Sequence, residues 1–287
     1  MTQTAYSEAQ LDGGDEVVVP VRHPWRWAAT ACVVAVAALV AYALVTNEAF
    51  KWDVVGRYVL SPEILTGLLT TLELTLAAMI IGLVLGTVIA LMRLSANPLL
   101  VAVSWCYTWF FRSIPVLVQL IFWFNFGALY KTITLGVPLG PELLTANTND
   151  LITPMSAALL GLGLSQAAYT GEVIRAGIVA VDDGQTRAAK ALGMSGFLVF
   201  RRIVLPQAMR LIIPPVGNEL ISMIKNTSLV SVVALAELLY SAQLIYSRTY
   251  QTIPLLVVAS LWYLMVVSLL SVGQHFLERH YGRGQAR

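Results

Sequence analysis

A chain of 287 residues in which 57% are hydrophobic and only 12% charged, with a mean hydropathy of +0.74, is too apolar for a soluble globular domain. It has room for about six membrane spans of about 20 residues each. The net charge of +2 gives no reason to expect a nucleic-acid partner, so the information lies in where the charges fall along the chain. His23, His275 and His280 are scattered near the ends, which leaves metal chemistry and Ser/His/Asp catalysis without a supporting constellation. Cys32 and Cys106 lie in apolar runs and read as small buried hydrophobes.

Residues 1–24 are polar and acidic-leaning, carry Gly13, Gly14, Pro20 and Pro24, and show no apolar periodicity, so a mobile tail is expected. Ala28 to Val45 is charge-free, with Trp25 and Trp27 at the expected interface, and predicts a first membrane helix. A cleaved signal peptide competes, because Ala41-Tyr42-Ala43 resembles a cleavage site; the long acidic-leaning tail ahead of Arg22 and Arg26 argues against it. A mixed-charge connection over 46–63 ends in Ser61-Pro62, a helix-start signal. Ile64 to Met92 is a second span interrupted only by Glu73. Leu99 to Tyr130 is too long for one straight span, and Arg112-Ser113-Ile114-Pro115 divides it into an interfacial helix and a third span from Pro115 to Tyr130. Lys131 to Thr153, rich in Gly, Pro and Asn, reads as an external loop. Pro154 to about Gly171 is a fourth span whose Gly and Ala residues allow close helix approach. A fifth span lies within Pro206–Ala236, bent at Pro214-Pro215, followed by a loop holding Glu237 and Arg248. Pro254 to Val272 is the sixth, and Glu278 to Arg287 a basic tail.

With both termini cytoplasmic, the inner side collects Arg22, Arg26, Arg93, Arg112, Arg175, Arg187, Lys190, Arg201, Arg202, Arg210, Arg279, Arg283 and Arg287. The outer side collects only Lys51, Arg57, Lys131 and Arg248, and Lys225 falls inside a span. This asymmetry orients every span consistently and places the polar stretch Asp182–Pro206 in the cytoplasm. Within it, Asp182-Asp183-Gly184 is a capping turn and Gln185–Leu192 a short helix with a flat face at Ala188 and Ala189. Gly193 is placed to end that helix in the left-handed conformation, and Ser195 to cap a second helix that leads to Pro206. A solvated loop contacting lipid phosphates would explain the charges but not the small-residue face.

Ala188-Ala189, three residues, Gly193, nine residues, then Ile203-Val204-Leu205-Pro206 resembles the coupling-loop signature of binding-protein-dependent ABC importer permeases, Glu-Ala-Ala-x3-Gly-x9-Ile-x-Leu-Pro. The surroundings resemble the polar amino acid permeases: TLELTL at Thr71–Leu76, FRSIPVLVQL at Phe111–Leu120, AAYTGEVIRAGI at Ala167–Ile178, LPQAMR at Leu205–Arg210 and GNELISMIKNTSLVS at Gly217–Ser231. The resemblance covers about residues 64–277. It implies an all-α integral membrane protein of the type I importer permease class, with six transmembrane helices, an additional N-terminal helix over 25–46 and the permease core over 64–277. It also implies that Gly184, Gln185, Arg187, Ala188, Ala189, Leu192, Gly193, Leu205 and Pro206 face a cytoplasmic ABC ATPase. The chain departs from the signature at Arg187, where the family has Glu, and at Val181-Asp182-Asp183-Gly184-Gln185, where the family reads Ile-Pro-x-Gly-Gln.

The implied partners are ATPase subunits, a second permease copy or paralogue, an extracytoplasmic solute-binding protein and the amino acid itself, in a bacterial inner membrane. No cofactor is expected in this chain. It has no G-x-x-x-x-G-K-[ST] phosphate loop, so ATP and magnesium would belong to the partner, and the chain would not itself be an enzyme. Ionisable groups inside spans are candidates for the path: Glu73, Glu172, Glu219 and Lys225. Glu172 has a local partner at Arg175, three residues on. An amino acid needs both acceptors and donors, and the substrate-path candidates are Gln119, Gln166, Asn218 and Glu219. Two other classes compete. An ion-coupled secondary transporter lacks a repeated pair of Gly/Pro-broken segments here, and a non-transporting scaffold fits the polar residues of spans two and five poorly.

Overall fold

The computed structural model describes residues 24–136 and 142–282; the expected N-terminal tail and the last five residues lie outside them. The chain divides into two compact units, one ending at Phe50 and one beginning at Lys51. Of the first, helix α1 (Pro24–Thr46) is a 23-residue apolar helix with Trp25 and Trp27 exposed near its start. It has the length and composition of a membrane span.

The second unit is helical from α2 (Trp52–Tyr58) onward. Helix α3 (Pro62–Arg93) starts on a proline in its first turn and runs for 32 residues. Helices α4 (Pro98–Ser113) and α5 (Val116–Phe124) follow, bent by 98° at the break the sequence places before Pro115. The third span expected through Tyr130 stops at Phe124. The chain breaks at Asn125 and resumes as a single turn, α6 (Phe126–Leu129). The expected external loop is an antiparallel hairpin, β1 (Thr132–Gly136) with β2 (Glu142–Asn147), and a one-turn helix α7 (Thr148–Leu151). The pairing puts Thr134 opposite Thr145, with their hydroxyls 3.3 Å apart. The β-branched residues Thr132, Ile133 and Thr134 favour extended backbone.

Helix α8 (Pro154–Val179) leads to α9 (Asp183–Ala191) and then α10 (Gly196–Val199). Ser195 sits at the N-cap position of α10, but its hydroxyl makes no capping bond. A π turn over Phe200–Val204 carries α10 directly into α11 (Leu205–Asn226), so Pro206 lies in a continuing helical stretch. A 3-10 segment (Thr227–Val233), α12 (Leu238–Thr249) and α13 (Thr252–Gly282) complete the unit. The basic tail expected from Glu278 is helical through Gly282, because Gln274 on the preceding turn donates to the Glu278 carboxylate at 2.8 Å.

By length and composition α1, α3 and α13 can cross a membrane, and five spans result if each bent helix pair counts as one. Helix α8 falls short on apolarity because it is built from Gly, Ala and Ser with Gln166, Glu172 and Arg175. It is the most enclosed of the long helices, with thirteen buried residues. Enclosure explains its composition: small residues let backbones approach, and packing rather than water exclusion holds helices together in lipid. It packs more extensively on α3 than any other two elements do on each other. At Gly86 an added Cβ would lie 2.9 Å from the Gly171 backbone nitrogen and 3.1 Å from the Ala167 carbonyl. Leu74, Leu120, Leu162, Met223 and Val230 close one core between α3, α5, α8, α11 and the 3-10 segment.

Two expectations are corrected. Cys32 and Cys106 are exposed, not buried, because a membrane helix turns apolar residues outward as well as inward. Glu237, expected in a loop, is fully buried as the N-cap of α12. Its Oε1 accepts from Tyr240 N–H at 2.7 Å, and its Oε2 from Leu239 N–H at 3.0 Å and the Tyr263 hydroxyl at 2.9 Å. The Leu238 N–H donates to Thr71 Oγ1 at 3.0 Å, so one helix start is fastened to both α3 and α13. Three bonds to its oxygens and the positive end of a helix dipole make burial of a carboxylate tolerable without a cation.

Three substitutions test this frame. Gly86→Ala forces two backbones apart and is expected to cost about 1–3 kcal/mol, read as a lower unfolding midpoint in detergent. Glu237→Ala leaves buried donors unpaired and is expected to cost about 2–4 kcal/mol, whereas Tyr263→Phe, losing one donor, costs about 1 kcal/mol; equal midpoints for the two would contradict the capping role.

Candidate functional site

Two groups of functional candidates emerge, joined by one helix. The first is α9 and its surroundings. Asp182 caps the helix by accepting from the Gly184 N–H. At the other end Gly193 adopts φ +82, its N–H reaches the Lys190 carbonyl at 3.0 Å, and the Met194 N–H reaches Ala189 at 3.2 Å. These paired bonds form the Schellman closure, which a left-handed residue requires. The helix is therefore fixed at both ends by its own chain.

Its two alanines part company: Ala189 is buried against the rest of the loop, whereas Ala188 is exposed beside exposed Arg187. Leu192 is 84% exposed and Phe197 73% exposed, and Arg187, Lys190, Arg201 and Arg202 of the same stretch are exposed as well. Among the described residues none of these four cations has a carboxylate partner. A groove of about 470 Å³ runs between Ala188, Leu192, Met194 and Ile203. Gln185 Oε1 accepts from Gln207 Nε2 at 2.7 Å, and the same Gln207 amide donates to the Ile203 carbonyl at 2.9 Å. Gln207, which the sequence does not single out, thereby fastens α9 to the base of α11, where Leu205 and Pro206 lie.

The second group lies farther along α11. Gln166 Nε2 donates to Glu219 Oε2 at 2.8 Å and to Thr170 Oγ1 at 3.0 Å, and the Thr170 hydroxyl donates to the same Oε2 at 2.7 Å. Gln166 and Thr170 are buried on α8, and Glu219 is half-buried on α11. The structure thus brings two of the four path candidates into contact. Thr170 was not singled out, although its place one helical turn after Gln166 carries the signal. Glu219 Oε1 has no protein donor among these bonds, so the carboxylate keeps acceptor capacity for a cationic group.

The other two candidates sit elsewhere. Gln119 is buried at the α4–α5 bend, where its Nε2 donates to the carbonyls of Phe111 at 3.1 Å and Ile114 at 2.9 Å. Asn218 is exposed and donates to Glu278 on α13 at 3.3 Å. Glu172 is bound by Arg175 through two hydrogen bonds, one of them from Nε at 3.0 Å, so that carboxylate is engaged locally. Glu73 and Lys225 are exposed on the outside of this chain, with no ion-pair partner among the described residues.

A family model described as binding-protein-dependent transport system inner membrane component matches residues 82–283. An arginine transport system permease protein of Corynebacterium glutamicum is 46% identical over 271 residues, covering 93% of this chain and 84% of that protein. A nopaline transport system permease protein of Agrobacterium fabrum is 38% identical, over 73% of this chain and 84% of its own. Among solved structures, an amino acid ABC transporter crystallised with histidines matches with a TM-score of 0.66 and 33% identity, over 76% of this chain and 94% of that one. The MetNI methionine ABC transporter in an inward-facing form shares the fold at a TM-score of 0.61 and 17% identity, over 76% of this chain and 96% of that one.

If the carboxylate cluster acts as a unit, Thr170→Val and Glu219→Gln are each expected to destabilise by about 1–3 kcal/mol. Their double variant should fall short of the sum by at least about 0.5 kcal/mol, measured as unfolding midpoints of the purified protein.

Proposed function

Because the chain belongs to the binding-protein-dependent transport system inner membrane components, and is thus the permease subunit of an ATP-driven amino acid importer whose ATP hydrolysis is done by a partner subunit, we propose how it is coupled and what it carries. Helix α9 with the exposed cations of its stretch docks into a groove on a cytoplasmic ABC ATPase, which supplies the ATP and magnesium chemistry. Motion of the ATPase passes through the Gln185–Gln207 bond into α11 and reaches Glu219 about 18 Å away, twelve residues along the helix. The observation that carries this reading is that α11 is bonded through Gln207 to Gln185 of α9 and also carries Glu219, which Gln166 of α8 holds.

The substrate is a cationic amino acid. Glu219, prepared by Gln166 and Thr170, offers an acceptor to its positive side chain, and the 46% identical relative is named for arginine. Six spans with both termini cytoplasmic follow from the positive-inside asymmetry, with α8 counted as a span despite its small residues. A second permease copy or paralogue encloses the path. This accounts for Glu73 and Lys225, since exposed charges facing hydrocarbon would cost several kcal/mol each. A solute-binding protein delivers the amino acid from outside. ATP binding and hydrolysis then alternate access to the path.

Reconstitution with the ATPase and binding protein in liposomes tests the reading. Arginine or lysine is expected to stimulate ATP hydrolysis, and no stimulation by any polar amino acid would overturn the substrate class. Ala188→Arg should abolish co-purification of the ATPase while leaving the permease monodisperse. Arg187→Glu is expected to weaken that co-purification by about tenfold, the loss of one charged contact worth about 1.4 kcal/mol. Unchanged or tighter binding would refute an acidic partner for Arg187.

A further inference from the structure

A cleft of about 430 Å³, sharing no residue with either group, lies between the C-terminal ends of α3 and α4 and the side of α8. Its lining includes Arg93, Trp105, Trp109, Arg112, Tyr169 and Glu172. Arg93 is the last residue of α3, a helix long and apolar enough to cross the membrane, so the cleft sits where a span ends and headgroups begin. Ser104 on α4 donates to the Ile89 carbonyl on α3 at 2.9 Å, and Tyr107 on α4 to the Leu164 carbonyl on α8 at 2.9 Å. The three walls are therefore fixed to one another.

The chemistry of this cleft is cationic. Arg112 lies over the Tyr169 ring, with its guanidinium carbon 5.2 Å from the centroid, which occupies a face of the group and leaves its edge donors free. Arg93 makes one long bond, 3.5 Å, to the Val101 carbonyl. The single carboxylate in the lining, Glu172, is already paired with Arg175. Among the described residues neither Arg93 nor Arg112 has a carboxylate at ion-pair distance, although Glu172 lies near enough for its charge to act on both. Trp105 and Trp109 are 51% and 59% exposed, with rings parallel within 6° and centroids 6.1 Å apart. Indoles at such positions partition to the boundary between acyl chains and headgroups.

We infer that this cleft binds the phosphate of an anionic phospholipid headgroup, with the Arg93 and Arg112 guanidiniums as donors and the Trp105–Trp109 pair against the upper acyl chains. Bidentate donation to phosphate oxygens is what a guanidinium fork is shaped for, and basic pockets between membrane helices recognise headgroups in this way. A free phosphate would use the same donors. The exposed indoles favour the lipid, because their apolar ring faces gain burial against acyl chains, whereas a soluble anion could use only their single N–H donors. The inference requires the membrane setting but not the assignment of either face, of α9 or of Glu219.

Native mass spectrometry of the intact importer, released from nanodiscs holding equal phosphatidylglycerol and phosphatidylcholine, reads this directly. The unmodified complex is expected to retain phosphatidylglycerol preferentially. Arg93→Gln and Arg112→Gln are each expected to lower retention about fivefold and the pair about twenty-fold, while Arg57→Gln with Arg248→Gln, on other elements, leaves it unchanged. Should the paired Gln variant not assemble, the single variants and Arg93→Lys/Arg112→Lys, which keeps charge but loses the fork, carry the decision, with retention between those of the unmodified and Gln forms. Equal retention of the two lipids, or retention unaffected by the Arg substitutions, overturns the site. Displacement of the lipid by millimolar inorganic phosphate would show a free-phosphate site instead and overturn the lipid assignment.

Discussion

The rest of the molecule depends on how closely α3 and α8 approach. Where Gly86 faces Gly171 and the Ala167 carbonyl, a single methyl group is too large. In lipid no difference in apolarity draws helices together, so contact of this tightness is what dispersion and peptide dipoles need to hold a bundle. The composition of α8 follows from the same requirement, as does its polar content. A helix shielded on most sides can carry Gln166 and Thr170 because neighbouring chain meets them, and its partly exposed Glu172 and Arg175 neutralise each other as an ion pair.

From that fixed pair the functional groups are reached through short bonded links. The Schellman closure and the Asp182 cap shape α9 without help from any partner. The helix is thus preformed, which lowers the ordering entropy that binding to any partner costs. Gln207 ties it to α11, and α11 is tied to α8 by the Glu219 cluster and to α13 by Asn218 and Gln274. Beyond the short turn after α9 the chain has no loop before the membrane helix, because α10, the π turn and α11 are one helical stretch.

How much of this was legible differs from residue to residue. Charge-free runs, the break before Pro115 and the left-handed Gly193 were readable because each rests on local chemistry. The spacing of the coupling loop was readable as a pattern, and the structure gives the pattern its physical parts. Glu237 was not readable: its donors include Tyr263, which only the packing of α12 against α13 brings near, and Glu is not among the preferred caps. Asn218 and Glu219 are neighbours in sequence, yet one helical step of about 100° sends one to α13 and the other to α8. The hairpin was hidden by glycines and prolines that signal loop, and the cysteines by a burial rule made for water. For Gln119, a polar side chain in a span suggested the path, whereas its amide bonds the two carbonyls that the α4–α5 bend exposes.

The Gly86–Gly171 crossing also bears on how the chain is made. Its two halves are separated by α4, α5 and the hairpin, so α3 is synthesised and inserted well before α8 exists. Through that interval the surface around Gly86 lacks the helix it is shaped for, and α3 has α4 as its packing partner through Ser104 and the Ile89 carbonyl. Settlement of the early helices waits on the arrival of α8. A nascent chain stalled before Pro154 would present the quality-control machinery with inserted but incompletely packed helices, and that window, rather than the finished bundle, is where a substitution at this crossing would first be felt.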